Sequence, residues 1–210
     1  MDTVKQLYKN NTNIWSLTIP KNFALIVVNT YSGTKQDLKN APYNNALLCK
    51  QKLEELGYET NIMLDPTCLE FISLLALASS SIKGKFVLYY YGHGRKQGLK
   101  MKNGLVAKEE ITKRIKKYRS MLETIIIADT CHSENLFNDV EAIVTIVTSS
   151  GTDEKSSNIF KDRKEYGLMT YYFWNINQTG MFEKTMSIVL KKFNQTFILK
   201  GKPLDLKIKR

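Results

Sequence analysis

Five short stretches of the 210-residue chain carry apolar runs: "FALIVVN" (23–29), "ETNIML" (59–64), "KFVLYYY" (85–91), "ETIIIAD" (123–129) and "AIVTIVT" (142–148). Runs of this length predict strands. Because they are mostly continuous rather than alternating, they predict strands buried on both faces, as in a parallel sheet. Helical patterns lie between them: "NNALLCKQKLEELGY" (44–58), closed by Gly57; "TCLEFISLLALASSSI" (67–82), with Thr67 as cap after Pro66; and "AKEEITKRIKKYRSML" (107–122). In the third, Ile111, Ile115, Tyr118 and Leu122 recur at helical spacing, which puts the lysines on the opposite, solvated face. A polar stretch, "SSGTDEKSSNIFKDRKEYG", leads to the helical patterns "LMTYYFWNINQ" and "MFEKTMSIVLKKFNQTF", with a last short strand expected in "LDLKIK". Strand and helix in alternation predict an α/β fold with right-handed crossovers, its mostly parallel sheet of about six strands flanked by helices. With no internal repeat or splitting linker, residues 22–210 are expected to form one domain after an N-terminal extension, 1–21.

Composition narrows the function. A chain of 24.2 kDa that is 43% hydrophobic buries a full core. The N-terminus lacks an apolar signal region, and no segment approaches the ~18 uninterrupted apolar residues of a membrane span. The expectation is a cytoplasmic protein with no membrane partner. Cys49, Cys68 and Cys131 show no CxxC or metal-ligand spacing, which argues against a disulfide scaffold and against a zinc site. They are read as free thiols, with Cys49 and Cys68 as buried packing residues. The net charge of +11 is concentrated in 95–119 and in the tail 200–210. No nucleic-acid motif accompanies it, so nucleic acid is not an expected partner.

Candidate chemistry lies where strands end. In open parallel sheets, sites form beyond the carboxyl ends of the strands. His93, between two glycines in "YYGHG", follows the third strand, and Cys131, in "DTCHS", follows the fourth. If these strands are neighbours their ends lie ~5 Å apart, and imidazole meets thiol. A cysteine attacks as thiolate, and an adjacent histidine serves as its base and then protonates the leaving amine. Asp129, two residues before Cys131 and on the same side of an extended strand, has two roles open to it. It lines a pocket for a cationic side chain, or it binds the amides of a following loop. His132 is expected to point away and to be structural.

The pair "YYGHG" and "DTCHS" resembles the caspase-type cysteine peptidases, in particular metacaspases, whose blocks read YSGHG and D-S/C-C-H-S-G. "NNALLCKQKLEELGY" is similar to the family's N-D-A helix ending in G-Y/F. "SSGTDEKSSNIFKDRKEYGLMTYYF" is similar to its S-G-C-x-D-D-Q-x-S-A-D and G-A-M-T-Y-A-F blocks. The likeness spans about residues 22–175. It implies a caspase-like α/β/α sandwich and an endopeptidase acting on polypeptides through Cys131 as nucleophile and His93 as base and acid. It implies an oxyanion hole from the N–H groups of Gly94 and Cys131, and Asp129 as a wall of an S1 pocket for arginine or lysine. The second pocket acid of the family is replaced by Asn45, and Asp153 lies in the matching late loop.

Other departures bear on activity. Glu134 replaces the glycine of C-H-S-G, which bears on the site entrance or the thiolate. The acidic calcium-binding insertion of many metacaspases is short and basic here, and a further acidic position is Asn138, beside Asp139. No cofactor and no strong calcium requirement are therefore expected. The resemblance implies a monomer. Self-cleavage is expected at Lys155, Lys161, Arg163 or Lys164. No long pro-segment precedes residue 22, so little N-terminal inhibition is expected unless the segment with Trp15 folds over the site. Legumain- and transamidase-type peptidases, Asn-directed, also pair G-H-G with a cysteine, but lack the histidine after it and the D-E-K-S-S and G-x-M-T-Y blocks. A catalytically silent scaffold of the same fold and a basic nucleic-acid module are the non-enzyme alternatives.

Overall fold

The structure, a computed structural model, describes residues 21–82, 84–118, 123–140, 144–151, 153–176, 182–201 and 204. The N-terminal extension with Trp15, the stripe residue Leu122 and the basic tail beyond 204 lie outside the described residues.

The apolar runs become the strands of one sheet. In chain order these are β1 (Asn22–Val28), β2 (Glu59–Leu64), β3 (Lys85–Tyr91), β7 (Glu123–Asp129), β8 (Val144–Thr148) and β11 (Ile198–Gly201), arranged β11-β8-β7-β3-β1-β2. All neighbours are parallel except β11, which runs antiparallel to β8. Three short strands follow β3, namely β4 (Gly94–Arg95), β5 (Gly98–Met101) and β6 (Gly104–Ala107), and form an antiparallel meander. A hairpin of β9 (Asn158–Lys161) and β10 (Lys164–Gly167) follows β8. Helices are α1 (Ala41–Glu55), α2 (Cys68–Ser81), α3 (Lys108–Tyr118), α4 (Leu168–Asn175) and α5 (Phe182–Lys191).

Continuous apolar runs serve two cores at once. Leu25, Val27, Leu88, Tyr90, Ile126 and Ala128 pack with α2 and α3, while Ala24, Ile26, Val87, Tyr89, Ile125 and Ile127 pack with α1, α4 and α5. The central strands are thus buried on both sides, as the lack of alternation predicts. The edge strand β2 is only half-buried. On α3, Ile111 and Ile115 face the core while Lys113, Lys116 and Lys117 stay exposed, as the spacing predicts.

Two features depart from expectation. The sixth strand is β11, which the apolar runs do not announce, while the strand expected in "LDLKIK" falls on residues of which only 204 is described. The basic segment after His93 folds into the meander, whose Leu99, Met101 and Val106 are buried. Its strands are too short, and too rich in lysine and glycine, to register as apolar runs.

Chain direction across the sheet changes between β1 and β3. β1 leads outward to β2, whereas β3 leads the other way to β7. The crevice at the carboxyl ends of β1 and β3 is therefore a topological switch point, where open α/β sheets place their sites.

A cap away from this crevice tests the reading of α2. The Thr67 hydroxyl accepts from Glu70 N at 3.2 Å and the Glu70 carboxylate accepts from Thr67 N at 2.7 Å, a reciprocal capping box. Thr67→Ala is expected to cost about 1 kcal/mol in a urea titration. An unchanged midpoint would show that the box contributes nothing.

Candidate active site

Strand register sets the site. β3 and β7 are adjacent and parallel, with Tyr91 opposite Asp129. His93 and Cys131 each lie two residues beyond that pair, so the turns that carry them leave the sheet side by side. They are fastened directly, since the Thr130 hydroxyl donates to Gly92 O at 2.7 Å. The two glycines flanking His93 answer to close approach rather than to a turn. A Cβ on Gly94 would lie 2.3 Å from Cys131 O, and one on Gly92 would lie 2.8 Å from the Tyr31 hydroxyl. At Gly94 the obstacle is backbone, so a side chain there would push the two turns apart, whereas at Gly92 it would displace the tyrosine hydroxyls.

His93 is held from the β1 side of the crevice. Its ring stacks on Tyr31, centroids 4.6 Å apart, and its Nε2 lies 2.9 Å from Gln36 O. A backbone carbonyl only accepts, so Nε2 carries the proton of the neutral ring and Nδ1 keeps its lone pair. The arrangement leaves His93 with one basic nitrogen to offer.

Cys131 is half-buried, and like Cys49 and Cys68 it forms no disulfide. Its Sγ accepts from Ser156 N at 3.4 Å, in the loop between β8 and β9. His132 adopts a left-handed conformation, φ 55°, which turns the chain sharply after the cysteine into a 3-10 segment, Ser133–Leu136. Its N–H donates to Glu154 O at 3.1 Å. Glu134 forms an ion pair with Lys200 of β11 at 3.2 Å, so its charge is met at the sheet edge.

Of the two roles open to Asp129, the binding of loop groups is seen directly. Oδ1 accepts from the Ser156 hydroxyl at 2.6 Å, and Oδ2 accepts from Thr170 N at 3.0 Å and from the Thr170 hydroxyl at 2.8 Å. Thr170 is in the first turn of α4, where a carboxylate suits the helix dipole. Burial pushes the Asp129 carboxyl up, against the pull of these hydrogen bonds. Gly167 neighbours both this carboxylate and Asn45: a Cβ on it would lie 2.2 Å from Asp129 Oδ2, and its N–H donates to Asn45 Oδ1 at 3.0 Å, while Asn45 Nδ2 is buried without a partner among the described residues. Asp153 stands apart, exposed and paired with Lys96 at 2.5 Å.

Cys49 is fully buried and accepts from Trp174 Nε1 at 3.0 Å, whereas Cys68 is half-buried at the start of α2, not the core residue expected. Asp139 is exposed in a second 3-10 turn, Asn138–Val140. Among the described residues, no group of three or more His, Cys, Asp or Glu is placed to hold a metal ion. Among the described residues, no helix is long and apolar enough to cross a membrane.

Sequence reasoning singles out none of Tyr31, Gln36, Ser156 and Thr170. The carboxyl-end rule that flags the loops after β3 and β7 applies equally to the loop after β1, and would have pointed to "NTYSGTKQDL".

The late loop is itself tied down. Against the desolvation of partial burial, hydrogen bonds from Gly151 N and from Thr196 hold the Glu154 carboxyl below the usual carboxylate range. A depressed folded value means that the stability Glu154 contributes is present above its unfolded value of about 4.3 and is lost as pH falls through the folded one. Glu154→Gln is expected to lower the melting temperature at neutral pH and to flatten the acid limb of a stability–pH profile. An unchanged acid limb would rule this out.

Comparison with known proteins places the chain. The caspase-domain family profile matches residues 21–202. No curated protein matches the chain. Among solved structures, protein GSU0716 from Geobacter sulfurreducens is similar with a TM-score of 0.65 and 14% identity, covering 91% of this chain and 97% of that one. Caspase-1 from Spodoptera frugiperda is similar with a TM-score of 0.63 and 11% identity, covering 83% of this chain and 76% of that one. At these identities the likeness is one of fold.

Proposed function

The chain belongs to the caspase-domain family of cysteine peptidases, and on that premise we propose that it is a metacaspase-type endopeptidase cleaving polypeptides after arginine or lysine. The observation that carries the proposal is the paired placement of His93 and Cys131 two residues past the Tyr91–Asp129 register, with His93 Nε2 directed to Gln36 O.

In this mechanism Nδ1 of His93 takes the thiol proton and the Cys131 thiolate attacks the scissile carbonyl carbon. The N–H groups of Gly94 and Cys131 receive the developing oxyanion. His93 then gives its proton to the leaving amine, and the carbonyl re-forms as a thioester on Sγ. Water attacks the thioester with His93 again as base, releasing the acid and the thiol. The proton returns to sulfur, which closes the cycle; the reading includes no cofactor and no strong calcium dependence.

For P1 recognition, Asp129 is the pocket acid. Its Oδ1 is held by the hydroxyl of Ser156, a loop contact that a guanidinium or ammonium replaces with a stronger, charge-assisted one. Asn45 contributes a neutral acceptor, and Asp153 a further charge at the loop. With Asn45 standing where the family carries a second carboxylate, the selectivity rests mainly on Asp129. Self-processing is favoured at the hairpin tip, where Lys161, Arg163 and Lys164 are exposed, over Lys155, whose carbonyl accepts from Gln195. The protein acts as a cytoplasmic monomer without a nucleic-acid partner.

A fluorogenic panel with arginine, lysine, asparagine or aspartate at P1, with and without calcium, tests this. Hydrolysis after arginine and lysine is expected, abolished by Cys131→Ala and reduced about 10³-fold or more by His93→Ala. Asp129→Asn is expected to reduce hydrolysis at basic P1 about 30-fold. Cleavage after asparagine alone would favour an Asn-directed peptidase, and no cleavage under any condition would favour a silent scaffold. Discrete fragments of the purified chain that vanish in Cys131→Ala would report self-processing.

A further inference from the structure

We propose that Tyr31 is a positioning residue for His93, a clamp that grips both its ring and its main chain and that is anchored by Asp65 at the end of β2. The catalytic consequence rests on the peptidase reading, whereas the clamp itself does not.

The geometry of the clamp is closed on every side. The Tyr31 ring stacks on the His93 imidazole at 4.6 Å and 28°. The Tyr31 hydroxyl accepts from His93 N at 2.9 Å and donates to Lys100 O at 2.7 Å. Lys100 N in turn donates to His93 O at 3.0 Å, so His93 and Lys100 are joined at both the main chain and the phenol. Lys100 Nζ lies 5.4 Å from the Tyr31 ring centroid and bonds the Gln36 side chain, while the Gln36 main-chain carbonyl holds His93 Nε2. Burial pushes the Tyr31 phenol up to about 12, which keeps it a donor across the working range.

Tyr31 is costly to hold where it is. Its φ of 53° is left-handed, a conformation that bulky side chains rarely adopt, and such outliers persist where the surroundings enforce them. Asp65 does the enforcing: Oδ1 accepts from Thr30 N at 2.6 Å and from Tyr31 N at 3.4 Å, and Oδ2 accepts from the Thr30 hydroxyl at 2.6 Å. The strained turn thus delivers one aromatic face to the catalytic imidazole. Without it, the ring is free to leave Gln36 O, and the nitrogen that the proposed mechanism assigns to the thiol proton is no longer fixed.

With only two histidines in the chain, imidazole tautomers are readable by ¹⁵N NMR on the full-length protein, His93 being assigned with His93→Ala. In wild type His93 is expected as a single neutral Nε2–H tautomer. Tyr31→Leu is expected to give a tautomer mixture, with kcat down about 10²-fold and KM within about twofold, the pattern of lost orientation. Tyr31→Phe, which keeps the ring, is expected to fall between the two in both readouts. Should Tyr31→Leu fail to fold, Asp65→Asn, which loosens the same turn, is expected to shift tautomer and kcat in the same direction. An unchanged tautomer in the folded variant, or a rise in KM at constant kcat, would overturn the clamp. A wild type that hydrolyses no peptide would sink the peptidase reading alone, because the tautomer measurement still decides the clamp.

Discussion

Parallel pairing of β3 with β7 is the constraint on which the rest depends. The two strands run in one direction with Tyr91 opposite Asp129, so two chain segments separated by dozens of residues emerge at the same edge and at the same height. The candidate site is built on that coincidence. Thr130 and Gly92 stitch the turns, and Gly94 lets one main chain lie on the other. A slip of one residue would send one of the two side chains to the opposite face of the sheet.

Around this joint the loops of the carboxyl edge divide the work. The loop after β1 orients the histidine through Tyr31 and Gln36. The loop after β8 approaches the thiol and the buried carboxylate through Ser156, and is itself moored to the segment before β11 by Glu154. Asp129 links β7, that loop and the first turn of α4, and is buried at a cost that its hydrogen bonds offset only in part. The carboxylate that the peptidase reading assigns to substrate is therefore also a tie between three elements.

The basic character of the chain is local rather than general. On α3 the lysines occupy the solvated face behind Ile111 and Ile115. In the meander, Lys100 is drawn into the surroundings of His93 by its contacts with Gln36 and Tyr31. A net charge counts both kinds of lysine alike, and only their neighbours separate them.

The apolar runs carried most of the architecture. Strands that must be buried on both faces have no room for alternation, so β1, β3, β7 and β8 were legible as such, and the helices between them made the sheet parallel. The same local pattern put His93 and Cys131 at strand ends, where side-chain chemistry faces a crevice. What folding alone decided was everything that needed a partner distant in the chain. The meander and the β9–β10 hairpin are too short and polar to announce themselves. Tyr31 and Gln36 look like loop residues until the switch point between β1 and β3 brings them to His93. The tie that Asp129 makes to Ser156 and Thr170 exists only once the late loop and α4 reach it. Hydrophobic periodicity is a local property and survives in one dimension, whereas hydrogen bonds between loops are written only in the distances that the sheet creates.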